Sequence, residues 1–320
     1  MPQNPELEKY LKKFSNLHVD RNKDRYTVGK APHKPILLLS LITLQKNHKI
    51  DLADIKPDIY LRDTWSEFWK LLEYEKPGPI HMPLFHMKSE GFWNVDFKPG
   101  FGQMQPKSFN QFNDMVETIS MNPQLVQLIN NPESQTALIN ALLNGGYFSQ
   151  TEIENLTKAI ANIDKSFIYE EKIVSQIAEE FTMYPVSETA EFPEVCRSAS
   201  FRRNVLENYE ETCAVCGIKF ITSSGVSILD AAHILPFAKY RNDNIRNGMA
   251  LCKTHHWLFD SGLLSVDQHY RVMVTDSIEI EMPERIITQY HREPLILPKD
   301  AARFPSQVAL EWHRERVFSK

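Results

Sequence analysis

At 320 residues the chain is long enough for two domains of about 150 residues each. Its 42% hydrophobic and 24% charged content excludes wholesale disorder, a collagen-like fibre and a disulfide-dense miniprotein, and no apolar run reaches the roughly 18–20 residues that span a bilayer. The net charge of -5 does not mark a nucleic-acid binder, although a basic stripe on one face would suffice for one.

The opening MPQNPELEKYLKKF is charged from its start and has no apolar core before a cleavage site. No signal peptide is expected, and the expected location is the cytoplasm, away from membranes. Residues 5–20 predict a short helix with Leu7, Tyr10, Leu11, Phe14 and Leu17 on one face. A polar loop follows, broken by Gly29, Pro32 and Pro35, and then the apolar run ILLLSLITLQKNHKI predicts a buried helix. Residues 57–75 predict another, with Trp65, Phe68, Trp69 and Leu72 as core.

From Lys76 the chain is rich in Pro, Gly and aromatics and predicts short β-like pieces. Helices are expected at 110–119, 123–130, 134–144 and 150–163, and a further one at 166–182. YPVSETAEFPEV, with two prolines, is the linker candidate. Beyond it a helix is expected at 200–209, strands at 226–234 and 263–275, a short helix at 252–260 and a final helix in SQVALEWHRERVFSK. The fold class is therefore α+β, with a mostly helical first domain. The expected boundaries are 1–165, a helix and linker over 166–194, and 195–320.

Four cysteines stand at 196, 213, 216 and 252. Cys213-x-x-Cys216 is followed about 35 residues later by Cys252-x-x-His255. Two pairs spaced by two suit a tetrahedral structural zinc, because each tight turn aims two ligands at one ion. Gly217 directly after the first pair suits such a knuckle. Register with Cys252 favours His255 over His256, and Cys196 is left as a buried thiol.

Between the zinc pairs lies SILDAAHILPFAKYRNDNIRNGMALCKTHHWLFDSGLL, which sets His233, Asn247 and His256 in that order, 14 and nine residues apart. Together with CRSASFRRNVLENYEETCAVCG before it and LFDSGLLSVDQ after it, this resembles the HNH endonucleases of bacterial restriction enzymes, over about residues 195–320. The resemblance implies a β-hairpin and a helix clasping one divalent metal, Mg²⁺ or Mn²⁺. His233 would be the general base for phosphodiester hydrolysis. Asn247 would orient that imidazole or join the metal site, and His256 would be a metal ligand. Many such enzymes carry Asp or His directly before the base, where this chain has Ala232. Asp230 shares a strand face with that position and is the candidate replacement. Asp260, one helical turn beyond His256, is a second. Arg202, Arg203, Lys239, Arg241 and Arg246 are candidate phosphate contacts, with a solvated surface as the plainer reading.

In the first domain, His33-Lys34-Pro35 with the leucine run after it, Pro83-Leu84-Phe85-His86 with Gly91 and Trp93, and ALLNGGYF resemble the sulfur-binding domains that precede HNH nucleases in McrA-type restriction enzymes. That resemblance covers about residues 5–165. It implies recognition of phosphorothioate DNA, with Pro83 and Leu84 as an apolar wall and His33, Lys34 and His86 as donors to the backbone. The expected activity is a modification-dependent restriction endonuclease acting on double-stranded DNA, as a homodimer. A reader of methylated or hydroxymethylated cytosine or of a specific sequence is the alternative, and a catalytically inactive DNA-binding protein the second.

Overall fold

The computed structural model describes residues 4–74, 78–101, 104–184, 192–276 and 285–318. The chain divides into two compact units, Met1–Asp164 with Ile221–Val226, and Lys165–Phe220 with Ser227–Lys320. No helix among the described residues is long and apolar enough to cross a membrane.

In the first unit, α1 (Pro5–Ser15) is capped by Asn4, whose side chain accepts from the amides of Glu6 and Leu7. α2 (His33–Lys46) is apolar on every side, and Ile36 to Leu39, Leu41, Ile42 and Leu44 are fully buried. A helix apolar all round belongs at the centre of a bundle, and α3 (Ile59–Trp69), α6 (Pro123–Asn130) and α7 (Pro132–Leu143) pack around it. Tyr147 ties the end of α1 to this core. Its hydroxyl donates to the Phe14 carbonyl at 3.0 Å and accepts from the Leu17 amide at 2.7 Å.

Several elements differ from their sequence expectations. PIHMPLFHM is not β-like but contains a short helix, α4 (His81–His86), with Pro83 in its first turn where no amide donor is needed. β1 (Trp93–Phe97) does follow it. The helix expected at 110–119 stops as α5 (Phe109–Met115), and the β-branched alternation of Val116–Met121 continues as β2, antiparallel to β1. The separate helices at 150–163 and 166–182 are one, α8 (Gln150–Ser175), because nothing between Ile163 and Phe167 breaks it. The division between the units falls inside α8, so its last turns belong to the second unit.

Residues 185–191 of the linker candidate lie outside the described residues. In the second unit, α9 (Glu194–Asn208) begins earlier than expected and packs on the hairpin of β3 (Asp230–His233) and β4 (Gly248–Leu251). The register pairs His233 with Gly248 and Asp230 with Leu251. Gly248 is required by the close approach of α9, since a Cβ there would lie 2.5 Å from Val205 Cγ2 and 2.8 Å from Phe201 Cζ. α10 (Phe237–Tyr240) lies in the connection, and α11 (Lys253–Asp260) follows β4 directly. The single strand expected at 263–275 is a hairpin, β5 (Leu264–Val266) and β6 (Val272–Val274), turned by Asp267, whose carboxylate accepts from the His269 and Arg271 amides. A short α12 (Arg285–Thr288) precedes the final α13 (Gln307–Arg316).

Candidate functional site

The β3–β4 hairpin and α11 place the catalytic candidates. His233 ends β3 and stacks flat on Phe201 of α9, with ring centroids 3.8 Å apart and planes 6° from parallel. Its Nε2 lies 2.9 Å from Asp243 Oδ1. The other oxygen of Asp243 accepts from the Tyr169 hydroxyl at 2.8 Å and faces the Arg197 guanidinium at 3.4 Å. His256, on the first turns of α11, meets Asp230 through Nδ1 at 3.0 Å and Asp260 through Nε2 at 3.3 Å. His233, His256 and Asp260 line one cavity of about 430 Å³, together with Ala231 and Trp312.

Burial acts to raise the Asp230 carboxyl, but hydrogen bonds from Lys253 and His256, and their charges, outweigh it and hold the group below the usual carboxylate range. Asp260 is pushed the other way, chiefly by burial, with the charge of Asp230 adding to the rise. Asp230 does not line the cavity. Its contact is with the ring nitrogen of His256 opposite the one that meets Asp260. A carboxylate on the far nitrogen of a histidine is the arrangement that orients a metal-binding imidazole. Asp230, expected as a ligand, thus stands behind His256 and outside the cavity.

Asn247 does not reach the imidazole it was expected to orient. It is fully buried, its Oδ1 accepts from the Leu235 amide at 2.8 Å, and its Nδ2 donates to the carbonyls of Leu235 and Asn242. Three strong backbone bonds leave it neither exposed to a metal nor in contact with His233; it fastens the loop that carries Asp243.

Asp243 was missed. In the Asn242-Asp243-Asn244 run it reads as a turn residue, and only the folded loop brings it to His233.

Of the phosphate candidates, Arg203 is corrected outright. It is 1% exposed, with its guanidinium on Ser166 Oγ at 2.7 Å and on Glu170. Arg202 spends its guanidinium on the carbonyls of Leu229 and Ser227. Lys239 and Arg241 are exposed in the connection between β3 and β4, and Arg246 is half-buried. Trp312 of α13 helps wall the cavity, whereas His313 is buried between Ser265 Oγ and the Phe259 carbonyl, both at 3.0 Å.

Cys213, Cys216, Cys252 and His255 converge, with all four donor atoms within 4.8 Å of one another. His255 Nδ1 lies 3.5 Å from Cys213 Sγ and 3.2 Å from Cys252 Sγ. A tetrahedron with Zn–S near 2.3 Å and Zn–N near 2.0 Å has an S–N edge of about 3.5 Å, so the cluster fits a zinc ion. Gly217 adopts φ +70° at the knuckle. His256, one position further round α11, faces Asp230 and Asp260 and has no place in this cluster. Cys196 lies apart, buried on α9.

In the first unit His33, Lys34, Pro83 and His86 line a cavity of about 500 Å³, with Tyr26 and Met82. Burial, and then the charge of Arg25, lower His33 to a pKa of about 4, so its ring is neutral at pH 7. Burial likewise lowers His86, with Lys34 and Lys88 adding to the effect. Two expectations need correction. Leu84 is fully buried and absent from the lining, where Met82 stands instead. Lys34 is 7% exposed and bound to Glu90 and Ser89, so its charge is already neutralised. Arg25 and Tyr26, also in the wall, came from a stretch that read only as a polar loop.

The HNH endonuclease family model matches residues 213–267, which include both zinc pairs and His233, Asn247 and His256. No curated protein matches the chain. Among solved structures the chain is similar to a modification-dependent TagI restriction endonuclease, at 23% identity and a TM-score of 0.29, over 37% of this chain and 38% of that one. The match thus spans under half of that enzyme's length.

Proposed function

We propose that the chain is a DNA endonuclease whose second unit hydrolyses phosphodiester bonds and whose first unit reads a modified backbone. The observation that carries the hydrolytic reading is the single cavity holding His233, His256 and Asp260, on a hairpin-and-helix frame within the segment that matches the HNH family.

His233 takes a proton from the attacking water as its oxygen bonds to phosphorus. The bond from phosphorus to the 3′-oxygen breaks, and that oxygen is protonated from solvent. His256 Nε2 and Asp260, 3.3 Å apart, are the protein donors suited to a divalent ion, with Asp230 holding the imidazole from behind. Such an ion, Mg²⁺ or Mn²⁺, supplies charge stabilisation at the phosphate and the leaving oxygen. Lys239 and Arg241, exposed in the connection between β3 and β4, contact flanking phosphates. One such site cuts one strand, so double-strand cleavage calls for a homodimer.

For the reader, we infer recognition of a phosphorothioate in the cavity of the first unit. Sulfur is larger, more polarisable and less well hydrated than oxygen. An apolar wall of Met82 and Pro83 therefore accepts it at lower desolvation cost than a phosphate oxygen. The neutral His33 ring and the neutralised Lys34 fit a soft, weakly hydrated group better than a bare charge. Tyr26 in the wall favours a second reading, in which the cavity stacks a flipped modified base. Matched plasmids with and without phosphorothioate, incubated with protein and Mg²⁺ or Mn²⁺ at fixed salt, test the reading. Preferential cleavage of the phosphorothioate plasmid is expected, and equal cleavage of both would refute sulfur recognition.

A further inference from the structure

The side chains around His233 form a chain of contacts that the hydrolytic reading does not use. Asp243 is buried, and its two oxygens face different ways. Oδ1 meets His233 Nε2 at 2.9 Å, while Oδ2 takes the Tyr169 hydroxyl at 2.8 Å and Arg197 at 3.4 Å. Tyr169 comes from α8 and Arg197 from α9, so two helices grip this carboxylate. The loop itself is fastened as well. Asn242 donates to the Thr182 carbonyl at 2.9 Å, and Asn247 donates to the Asn242 carbonyl at 2.9 Å. No other protein group among the described residues hydrogen-bonds the His233 ring, and Phe201 fixes the ring plane from one face.

We propose that Asp243, gripped by Tyr169 and Arg197, is a positioning residue that holds His233 as the Nε2–H tautomer, so that Nδ1 is the proton acceptor in the cavity. An ionised carboxylate only accepts, so the nitrogen it meets carries the proton. A neutral imidazole has one N–H, and the remaining nitrogen holds the lone pair. A base with its lone pair turned into Asp243 could not take a proton from water.

Asp243→Asn reverses the tautomer. Arg197 can only donate, so the carbonyl oxygen of the substituted amide must keep the Arg197 and Tyr169 side. The amide NH₂ then points at His233 Nε2, which must accept, and the ring proton moves to Nδ1. In the Ser-His-Asp triad the equivalent change costs about 10⁴ in rate through the wrong tautomer. Here a loss of about 10²–10⁴ in cleavage rate is expected, with DNA affinity and zinc content within twofold of wild type. Tyr169→Phe removes one of two grips and should leave the tautomer unchanged, with a rate loss under about tenfold.

The inference rests on the nuclease reading for its consequence but not for its readout. Long-range ¹H–¹⁵N spectra of the histidine rings, recorded on the full chain at pH 8 without DNA, report the tautomer directly. The His233 signals are identified among the 11 histidines by their loss in His233→Ala. Wild type should show Nε2–H and Asp243→Asn should show Nδ1–H. A wild-type Nδ1–H ring, an unchanged tautomer in Asp243→Asn, or an undiminished cleavage rate in that variant overturns the proposal. If Asp243→Asn does not fold, the wild-type spectrum alone decides between the two tautomers. An Nε2–H ring in a wild-type protein that cuts no DNA would sink the nuclease reading and leave the positioning role standing.

Discussion

Replacing Lys34 with methionine separates a structural role from a DNA contact. The Lys34 ammonium bonds Glu90 Oε1 and Ser89 Oγ, and both charged side chains are almost wholly buried, at 9% and 3% exposed. The Glu90 carboxylate also accepts from the His18 amide at 3.0 Å and faces His18 Nδ1 at 3.2 Å. Methionine keeps the volume and removes the charge. Glu90 would then keep only neutral donors and the mostly exposed His18 ring. Breaking a buried pair from one side costs about 3–5 kcal/mol. At about 2–4 °C per kcal/mol for a unit of this size, the unfolding midpoint should drop by about 6–20 °C. Lys34→Met/Glu90→Gln removes both charges and should recover most of that loss. The assay is thermal unfolding of the three variants at pH 7, run beside a binding titration with phosphorothioate duplex. A single variant within about 1 kcal/mol of wild type, with duplex affinity lost, would refute the argument and return Lys34 to the DNA contacts.

Cys252→Ser should release zinc and unfold the second unit, because a structural zinc contributes folding energy directly. Metal analysis of pure wild-type protein should find one tightly held zinc per chain, and finding none would contradict the cluster. His33 and His313 are both lowered to a pKa of about 4 by burial, against about 6.5 when unfolded. The unfolded chain binds these protons first, so stability is full above pH 6.5 and falls as pH drops towards 4, by up to about 1.4 kcal/mol per pH unit for each histidine. Denaturant unfolding between pH 7 and 5.5 checks this, and a flat profile would contradict it. Leu84→Ala should cost about 2–5 kcal/mol of stability as a fully buried core residue. Met82→Ala should cost less stability and weaken the preference for phosphorothioate duplex. The reverse pattern, read by thermal melts and paired titrations, would restore Leu84 as the wall.

What could be read from the sequence was local or strongly spaced. The zinc cluster needed only two pairs at fixed spacing, and turn geometry did the rest. The His233, Asn247, His256 order likewise marked the hairpin and helix, because His233 ends β3, Asn247 directly precedes β4 and His256 lies within α11. Contacts made across the fold could not be read. Arg203 looks basic and exposed until α8 brings Glu170 and Ser166 over it. Asp243 looks like a turn residue until its loop folds under His233. The role of Asn247 could not be read either, since its partners are backbone atoms that no residue pattern announces. Leu84 and Met82 show the same limit at finer scale. Two apolar residues on a short helix carry no sign of which one faces the core and which the cavity.

The central claim is that His233 takes the proton in a metal-dependent DNA hydrolysis. Its most direct test is the initial rate of supercoiled-plasmid nicking in Mg²⁺ or Mn²⁺ by wild type and His233→Ala. Both proteins must first be shown to hold equal zinc and to melt cooperatively, because the ring stacks on Phe201. Wild type should nick the plasmid until chelator is added, and the variant should do so at a rate about 10²–10⁴ lower. Equal rates in the two proteins, or no metal-dependent nicking by wild type on any plasmid, would contradict it.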